Sequence, residues 1–409
     1  MEATRLRAAR RWPVLAVALA VTVLAACSTG QVPSGSAAGD PIVIGGSGPD
    51  TGQAFNTPEQ RQGLETAVAA INASGGINGR PLQLEFCDGR YDPNGEISCA
   101  RQLVAKKVVA AINPNFTADG SGTAFKILDD ARIPQIGNPG QTPASLTSPM
   151  SYLLSGGLPG WYYGAAAALR QAGATKVAIL VAPSPTAQRA GQLMARALDA
   201  ANTPTRTVVF DPKADPTGEI TAAKVTADGV DGIGLALPPS SSPVVLSAIN
   251  RGGFTGKVAS ANGIITPAVV QALGPQAEGM LVVSQVALTT DTANPGVARY
   301  LADLKQFDNG AQPKDLSLFA YASVMLFAQV VKGIDTIDPA SVAKAFDSVS
   351  TPVDIGLVSP WATSGRTSPV AEWPRLLNPT VQVGVVHNGV VVPDGRGFVD
   401  PFADNAAAR

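Results

Sequence analysis

Residues 72–86 run Asn72-Ala73-Ser74-Gly75-Gly76-Ile77-Asn78-Gly79-Arg80-Pro81-Leu82-Gln83-Leu84-Glu85-Phe86 and mark the passage from a helix to a strand. A helix is predicted over 58–73 and a strand over 82–86, and an earlier apolar run predicts a strand over 42–45. A strand, a helix and a second strand in this order predict two parallel strands joined by a crossover helix. The stretch therefore indicates an α/β fold.

The same alternation continues along the chain. Further helices are predicted over 95–107, 122–131, 164–172, 186–201 and 218–227, and further strands over 108–112, 176–181, 207–210 and 233–237. Repeated alternation predicts parallel sheets with helices on both faces, and two series predict two doubly wound α/β lobes. Near the end, a hairpin is predicted over 381–392, with its turn at His387-Asn388-Gly389.

The N-terminal sequence predicts export. A cluster of arginines precedes a small and apolar run over 14–26, which is the pattern of a secretory signal and is shorter than the ~20 residues of a spanning helix. The run ends at Leu24-Ala25-Ala26-Cys27, which resembles the site cleaved ahead of a lipid-modified cysteine. We expect 1–26 to be a signal peptide, Cys27 to carry lipid, and 27–40 to be a flexible tether. The alternatives are a buried helix or an ordinary signal peptide followed by a chance cysteine.

Charge and length narrow the classes of function. The chain has 30 Lys+Arg and 31 Asp+Glu, and residues 1–26 hold four arginines and one glutamate, which leaves 26 against 30, or −4. This balance does not favour nucleic acid or an anionic membrane surface as a partner. The chain that remains is too long for one core and suits two domains.

Two cysteines remain after Cys27. Cys87 and Cys99 flank a predicted strand-to-helix loop, and an oxidising compartment favours a disulfide between them over two free buried thiols. His387 is the only histidine in the chain, so the sequence does not predict a zinc site.

Small polar loops follow several predicted strands, at 46–49, 113–117 and 138–142. Ligands of open parallel sheets bind beyond the carboxyl ends of the strands, where free backbone N–H groups accept an anionic group. For each loop alone, helix capping is the simpler explanation. Three such loops at the ends of one sheet predict a binding site.

These residues resemble the periplasmic type I solute-binding proteins of branched-chain amino-acid-type ABC importers. The most specific match is 72–82, supported by Gly48-Pro49-Asp50-Thr51-Gly52, Asp92-Pro93 and Ala277-Glu278-Gly279-Met280. The resemblance implies two lobes joined by three crossovers near Leu154, Val283 and Leu357, with a cleft that closes on ligand. It places lobe 1 at 41–154 plus 284–357, lobe 2 at 155–283 plus 358–400, and a tail at 401–409.

The resemblance also implies binding residues in lobe 1. Thr142, with Gly140 before it, matches the loop whose threonine hydroxyl holds the ligand carboxylate in the family. Thr117 and Phe116 lie in the second such loop, and Phe55 resembles the aromatic residue that covers the ligand.

Lobe 2 departs from the family pattern. Asn262 stands where amino-acid binders carry an acidic residue for the ligand ammonium, and Pro238 and Ser184 lie where the family carries tyrosine motifs. We therefore expect a carboxylic acid, an aromatic acid or a neutral amide rather than an α-amino acid, since a buried ammonium needs a carboxylate. Should an amino acid bind, Glu278 or Asp291 would have to hold it. Trp161 is expected either to line the cleft or to pack in the core.

The expected function is that of an extracytoplasmic binding protein, held at the outer face of the membrane as a monomer, that passes a small molecule to the permease of an ABC importer. A lipid-anchored sensor for a signalling receptor is the alternative. A secreted enzyme is weakly supported, because the sequence lacks a nucleophile elbow, a P-loop or metal-ligand spacing. No cofactor is expected.

Overall fold

The computed structural model describes residues 39–52 and 55–403. The predicted signal peptide, Cys27 and most of the tether lie outside the described residues. Two sheets organise the described chain into two lobes.

Lobe 1 is built on a parallel sheet of five strands. These are β1 (Ile42–Gly48), β2 (Leu82–Asp88), β3 (Ala111–Ile112), β4 (Gln135–Ile136) and β5 (Ser151–Tyr152). Their order across the sheet is β2-β1-β3-β4-β5. This is a doubly wound order, in which the chain moves outwards in both directions from a switch point between β1 and β3.

Lobe 2 is built on a sheet of seven strands. These are β6 (Val177–Val181), β7 (Thr205–Val209), β8 (Gly232–Ala236), β9 (Lys257–Ala261), β10 (Leu281–Ser284), β11 (Val381–His387) and β12 (Val390–Val399). The order is β12-β11-β10-β9-β8-β6-β7. Strands β6 to β10 are parallel and repeat the order of lobe 1, with a switch point between β6 and β8, and β11 and β12 add an antiparallel hairpin at the β10 edge.

Twelve α-helices in the described chain cover the two sheets. Those of lobe 1 are α1 (Pro58–Ala73), α2 (Pro93–Ala105), α3 (Thr123–Asp130), α4 (Pro143–Thr147), α10 (Pro295–Phe307), α11 (Asp315–Val331) and α12 (Pro339–Asp347). Those of lobe 2 are α5 (Gly157–Gln171), α6 (Pro185–Ala200), α7 (Glu219–Ala227), α8 (Ser242–Arg251) and α9 (Pro267–Leu273), with a 3₁₀ turn at Gly274–Ala277. Several begin with a capping side chain followed by proline, as in Asp92-Pro93 and Ser184-Pro185. This combination satisfies an early backbone N–H and sets the first helical φ angle.

Helix α11 lies at the centre of lobe 1. It is apolar on nearly all sides and packs against α1, where Gly63 approaches it so closely that a methyl group would lie 2.1 Å from the carbonyl oxygen of Ser317. The two helices are parallel, since Lys314 and Glu59 pair at their starts. Both therefore begin at the same edge of lobe 1.

Three crossovers join the lobes, and they bond to one another. The Ser155 hydroxyl donates to Gln285 Oε1 at 2.8 Å, Ala287 N donates to Leu357 O at 2.8 Å, and Asn378 Nδ2 donates to Leu154 O at 3.0 Å. The type I fold expected from the sequence, with two doubly wound lobes, is confirmed.

Most predicted elements are found near their predicted bounds. Helix α1 has the predicted bounds, the hairpin turns where expected, and Cys87 and Cys99 form a disulfide. Helix α5 begins at Gly157 rather than 164, because the aromatic residues before 164 already belong to it. Tyr162 and Tyr163 are buried in the core of lobe 2.

Candidate functional site

The two switch points carry four of the predicted binding residues. Phe55 follows β1 and Thr117 follows β3, on either side of the switch point of lobe 1. Ser184 follows β6 and Pro238 follows β8, on either side of the switch point of lobe 2. Ligands of doubly wound sheets bind beyond the carboxyl ends of the strands at this place. Strand order therefore places these four residues beside the switch points, whereas Thr142 follows β4 and Asn262 follows β9.

A hydrogen bond joins the carboxyl end of β9 in lobe 2 to the start of α11 in lobe 1. Asn262 follows β9, and its side-chain nitrogen donates to Ser284 Oγ at 3.2 Å and to Asp315 Oδ2 at 2.8 Å. Asp315 is the first residue of α11 in lobe 1 and also accepts from the Thr289 hydroxyl at 3.1 Å. The carboxyl edge of the lobe 2 sheet thus meets the start of α11.

Asp315 is a carboxylate that sequence reasoning missed. Burial raises its pKa above the ordinary value, and the hydrogen bonds from Asn262 and Thr289 offset this only in part. None of the ion pairs recorded for 39–52 and 55–403 involves it. A cationic or hydrogen-bond-donating group on a ligand would stabilise its ionised form. Lys-Asp before an apolar helix is an ordinary helix start, so only tertiary contact distinguishes this residue.

Glu278, the carboxylate considered from the sequence, lies elsewhere. It accepts from His387 Nδ1 at 2.8 Å and from Asn388 N at 2.9 Å, at the turn of the hairpin. It precedes β10 and so belongs to the amino edge of the parallel strands, opposite the cleft.

Buried amide side chains form the floor of the site in lobe 1. Gln60 Nε2 donates to Ser47 O at 2.9 Å and to Asn113 O at 2.8 Å, which joins the ends of β1 and β3. Asn113 Nδ2 donates to Gly137 O at 2.6 Å, and Asn138 Nδ2 donates to Ser151 Oγ at 2.7 Å. This series of amides fixes the binding loops relative to one another.

Thr142 caps α4, and its hydroxyl acts there as an acceptor and not as a donor. Its Oγ1 accepts from Ser145 N at 3.2 Å, its own N–H donates to Ser145 Oγ at 3.1 Å, and it is 8% exposed. Within the described chain, no acceptor is recorded for the Thr142 hydroxyl hydrogen. The cap therefore orients a donor that a ligand carboxylate or carbonyl can accept from.

Gly140 connects this loop to the first crossover. Its N–H donates to Asn138 Oδ1 at 3.1 Å, and its carbonyl accepts from Leu158 N at 3.0 Å. Gly140 and Gly157 both have positive φ, and a Cβ on Gly140 would lie 2.8 Å from Gly157 Cα. Both backbone polar groups of Gly140 are used within the protein, so its role here is to bring the loop against the crossover.

The other predicted binding residues of lobe 1, Thr117, Phe116 and Phe55, differ in their contacts and in their exposure to solvent. The Thr117 hydroxyl donates to Asn115 Oδ1, and Asn115 in turn donates to Gln60 at 3.3 Å. Phe116 is 1% exposed and packs edge-to-face on Phe125, so its ring is buried in the core beneath the binding loop and stabilises it by packing. Phe55 is 47% exposed and lies 5.2 Å from the Tyr91 ring, where it forms an apolar surface at the mouth of the first loop.

The lobe 2 residues are held mainly by helix starts. Ser184 caps α6 through Ala187 N at 3.3 Å, and the Pro238 carbonyl accepts from Ser241 N at 3.0 Å. Trp161 packs at the edge of the lobe 2 core, and its indole N–H is buried without a recorded partner. An unsatisfied buried donor costs about 1–3 kcal/mol, so this group favours any acceptor that reaches it.

Two kinds of feature are absent from the described residues, 39–52 and 55–403. No cluster of three or more histidine, cysteine, aspartate or glutamate side chains suited to a metal is found among them. No helix among them is long and apolar enough to cross a membrane.

Known proteins are similar to this chain along most of its length. Residues 41–371 match the family model described as periplasmic binding protein. The amino acid binding protein of Pseudomonas aeruginosa is 27% identical over 319 residues, which cover 74% of this chain and 81% of that protein. The Leu/Ile/Val-binding protein homolog 2 of Brucella abortus is 26% identical over 330 residues, which cover 78% of this chain and 85% of that protein.

A solved structure shares the fold. A solute-binding protein of an ABC transporter from Rhodopseudomonas palustris, in complex with 4-hydroxybenzoate, has a TM-score of 0.69 and 19% identity, and the match covers 88% of this chain and 97% of the other. The chain therefore belongs to the periplasmic binding protein family, as an extracytoplasmic ligand-binding protein with the type I fold of the branched-chain amino acid type.

Proposed function

We propose that the chain is a lipoprotein anchored by Cys27 that captures a small polar or carboxylate-bearing molecule in the cleft and delivers it to an importer permease. In this proposal, lobe 1 comprises residues 41–154 plus 284–357, and lobe 2 comprises residues 155–283 plus 358–400. The bonded crossovers between them supply the hinge about which such lobes close.

The bond between Asn262 and Asp315 carries the proposal. It identifies the chemical group at one end of the site, and Thr142 identifies the group at the other end. Lobe 1 offers the Thr142 hydroxyl as a donor. Asp315 offers a carboxylate, and the side-chain nitrogen of Asn262 is already committed to Ser284 and Asp315. The ligand that suits both ends has an acceptor at one end and a donor or cation at the other.

This chemistry revises the expectation that Asn262 disfavours amino acids. Asp315 supplies the carboxylate that lobe 2 lacks, so an α-amino acid carries both of the groups that Thr142 and Asp315 require. An aromatic hydroxy acid also satisfies them, since its carboxylate and its hydroxyl lie at opposite ends. The relative named for amino acids and the neighbour bound to 4-hydroxybenzoate represent these two classes.

Calorimetric titration of the mature protein with matched pairs tests the proposal. The pairs are L-leucine with 4-methylpentanoate and 4-hydroxybenzoate with benzoate, in which the second member lacks only the donor. We expect one first member to bind and its partner to bind about 10- to 150-fold more weakly, because a buried hydrogen bond to a charged group is lost. Equal affinities within the bound pair, or binding of neither pair, would contradict this ligand class.

A further inference from the structure

Two carboxylates near the disulfide contact both switch-point loops of lobe 1. Asp88 follows Cys87 directly, and Glu96 lies one helical turn before Cys99. The disulfide closes this short segment, 87–99, so both carboxylates are fixed to one covalent ring. Each of them accepts hydrogen bonds from a different loop outside the ring.

Asp88 serves the loop after β1. Its Oδ1 accepts from Asp50 N at 2.9 Å and from Thr51 N at 3.4 Å, and its Oδ2 accepts from the Thr51 hydroxyl. Despite burial, these hydrogen bonds, with one from Arg90 N, hold the pKa of Asp88 below its ordinary value. Asp88 is thus ionised throughout the neutral range.

Glu96 serves the loop after β3. It is 1% exposed, its Oε1 accepts from Ala118 N at 3.1 Å, and its Oε2 accepts from Asp119 N at 2.7 Å. The two amides come directly after Thr117. With both oxygens engaged by successive N–H groups, Glu96 fixes the backbone path on which Thr117 stands.

We propose that Asp88 and Glu96 are the positioning residues of the two switch-point loops of lobe 1, and that the disulfide-closed segment 87–99 sets both loops for ligand binding. The link to ligand rests on the proposed function, whereas the positioning itself is a property of the free protein. An experiment can therefore contradict the positioning role without contradicting the proposed function, and the reverse.

The loop after β3 differs from the loop after β1 because Glu96, which accepts its hydrogen bonds, titrates close to neutral pH. Burial raises its pKa from the ordinary 4.5 to about 7, against the hydrogen bonds from Asp119 and Ala118, and the charges of Asp119 and Asp92 add to the rise. Tyr91 is the other titratable group that interacts with it. When the loop opens and exposes Glu96 to water, its pKa returns towards 4.5. The closed loop therefore gains a proton relative to the open one as pH falls, and acidification from pH 8 to about 6 favours closure roughly tenfold.

Site-resolved amide hydrogen exchange on the ligand-free protein tests the proposal. In the wild type, we expect protection of Ala118 and Asp119, corrected for intrinsic exchange, to rise about tenfold between pH 8 and 6, while protection of Asp50 and Thr51 stays level. Glu96→Ala should lower protection at 118–119 by about 5- to 150-fold and abolish its pH dependence, because it removes both acceptor oxygens and the titrating group. Asp88→Asn should lower protection at 50–51 alone.

Glu85→Ala is the matched control. Glu85 lies on β2 two residues before Cys87 and pairs with Lys106 at 3.2 Å, and none of its recorded contacts involves either loop. This variant should leave both loops unchanged. A wild-type profile that is level at 118–119, or a Glu96→Ala variant that keeps its protection there, would overturn the proposal. The wild-type measurement stands even where a variant does not fold.

Discussion

The side chain of Asn262 in lobe 2 donates a 2.8 Å hydrogen bond to the carboxylate of Asp315 in lobe 1. The residues are 53 positions apart in sequence and belong to different lobes. Any opening of the lobes must break this bond or move both residues together. The pair therefore links the ligand chemistry of the cleft to the relative position of the lobes.

Replacing Asp315 should flatten the dependence of stability on acid pH. Burial raises the pKa of Asp315 above the ordinary 3.8, so folding takes up a proton between the two values. The stabilisation from this group is complete below 3.8 and is lost as pH rises through the raised pKa. Asp315→Asn should remove this decline in a series of thermal melts across the acid range. Asp291→Asn, which changes a carboxylate close to Thr289 in sequence, is the control. A decline that persists unchanged in Asp315→Asn would show that Asp315 does not titrate in this way.

Thr142→Val should weaken the bound member of the calorimetric panel by about 10- to 150-fold, because its hydroxyl is the donor to the ligand acceptor. Thr142→Ser keeps the hydroxyl and the helix cap and should retain affinity within a few-fold. Thr147→Val is a matched control on the same helix, since its hydroxyl donates only to Pro143 O at 3.0 Å. If Thr142→Val and Thr147→Val lose affinity equally, the Thr142 hydroxyl does not contact ligand.

Cys27→Ser should release the protein from the membrane fraction or leave the precursor uncleaved. The basic cluster, the apolar run and Leu24-Ala25-Ala26-Cys27 motivate this expectation. Fractionation with immunoblotting measures it, and metabolic labelling with a fatty acid gives a second readout. Wild-type fractionation and labelling of the variant would rule out the anchor.

Removing the disulfide with Cys87→Ala and Cys99→Ala should lower the free energy of unfolding by about 2–4 kcal/mol, because the ring restricts the unfolded chain. Urea denaturation with and without reductant measures the change. Reductant should shift the wild type towards the double variant and leave the double variant where it is. Identical wild-type curves in both conditions would contradict a stabilising bond.

The regular elements were predictable where periodicity extends over many residues. Helix α1 is such a case, because its apolar positions repeat over 58–73 and proline marks its start. Strands β4 and β5 contain two residues each, too few for an alternating pattern to appear. Their pairing depends on the sheet around them.

For the candidate site, the sequence predicts which loops contribute but not all of the residues that act in it. The positions of Phe55, Thr117, Ser184 and Pro238 at two switch points follow from strand order, which the alternation of elements implies. Asp315 and Gln60 act through partners distant in sequence, and neither belongs to a motif. Such residues acquire their roles from packing, so local patterns carry no signal for them.

The contact between Gly140 and Gly157 has a consequence for how this sequence can vary. Neither position has room for a methyl group, and both have positive φ, so a side chain at either one is excluded by sterics and by backbone conformation at once. No compensating change at the partner relieves this, since the partner is already the smallest residue. In a saturation library selected for solute capture, both codons should therefore remain glycine independently of each other, while the exposed residues around them diversify.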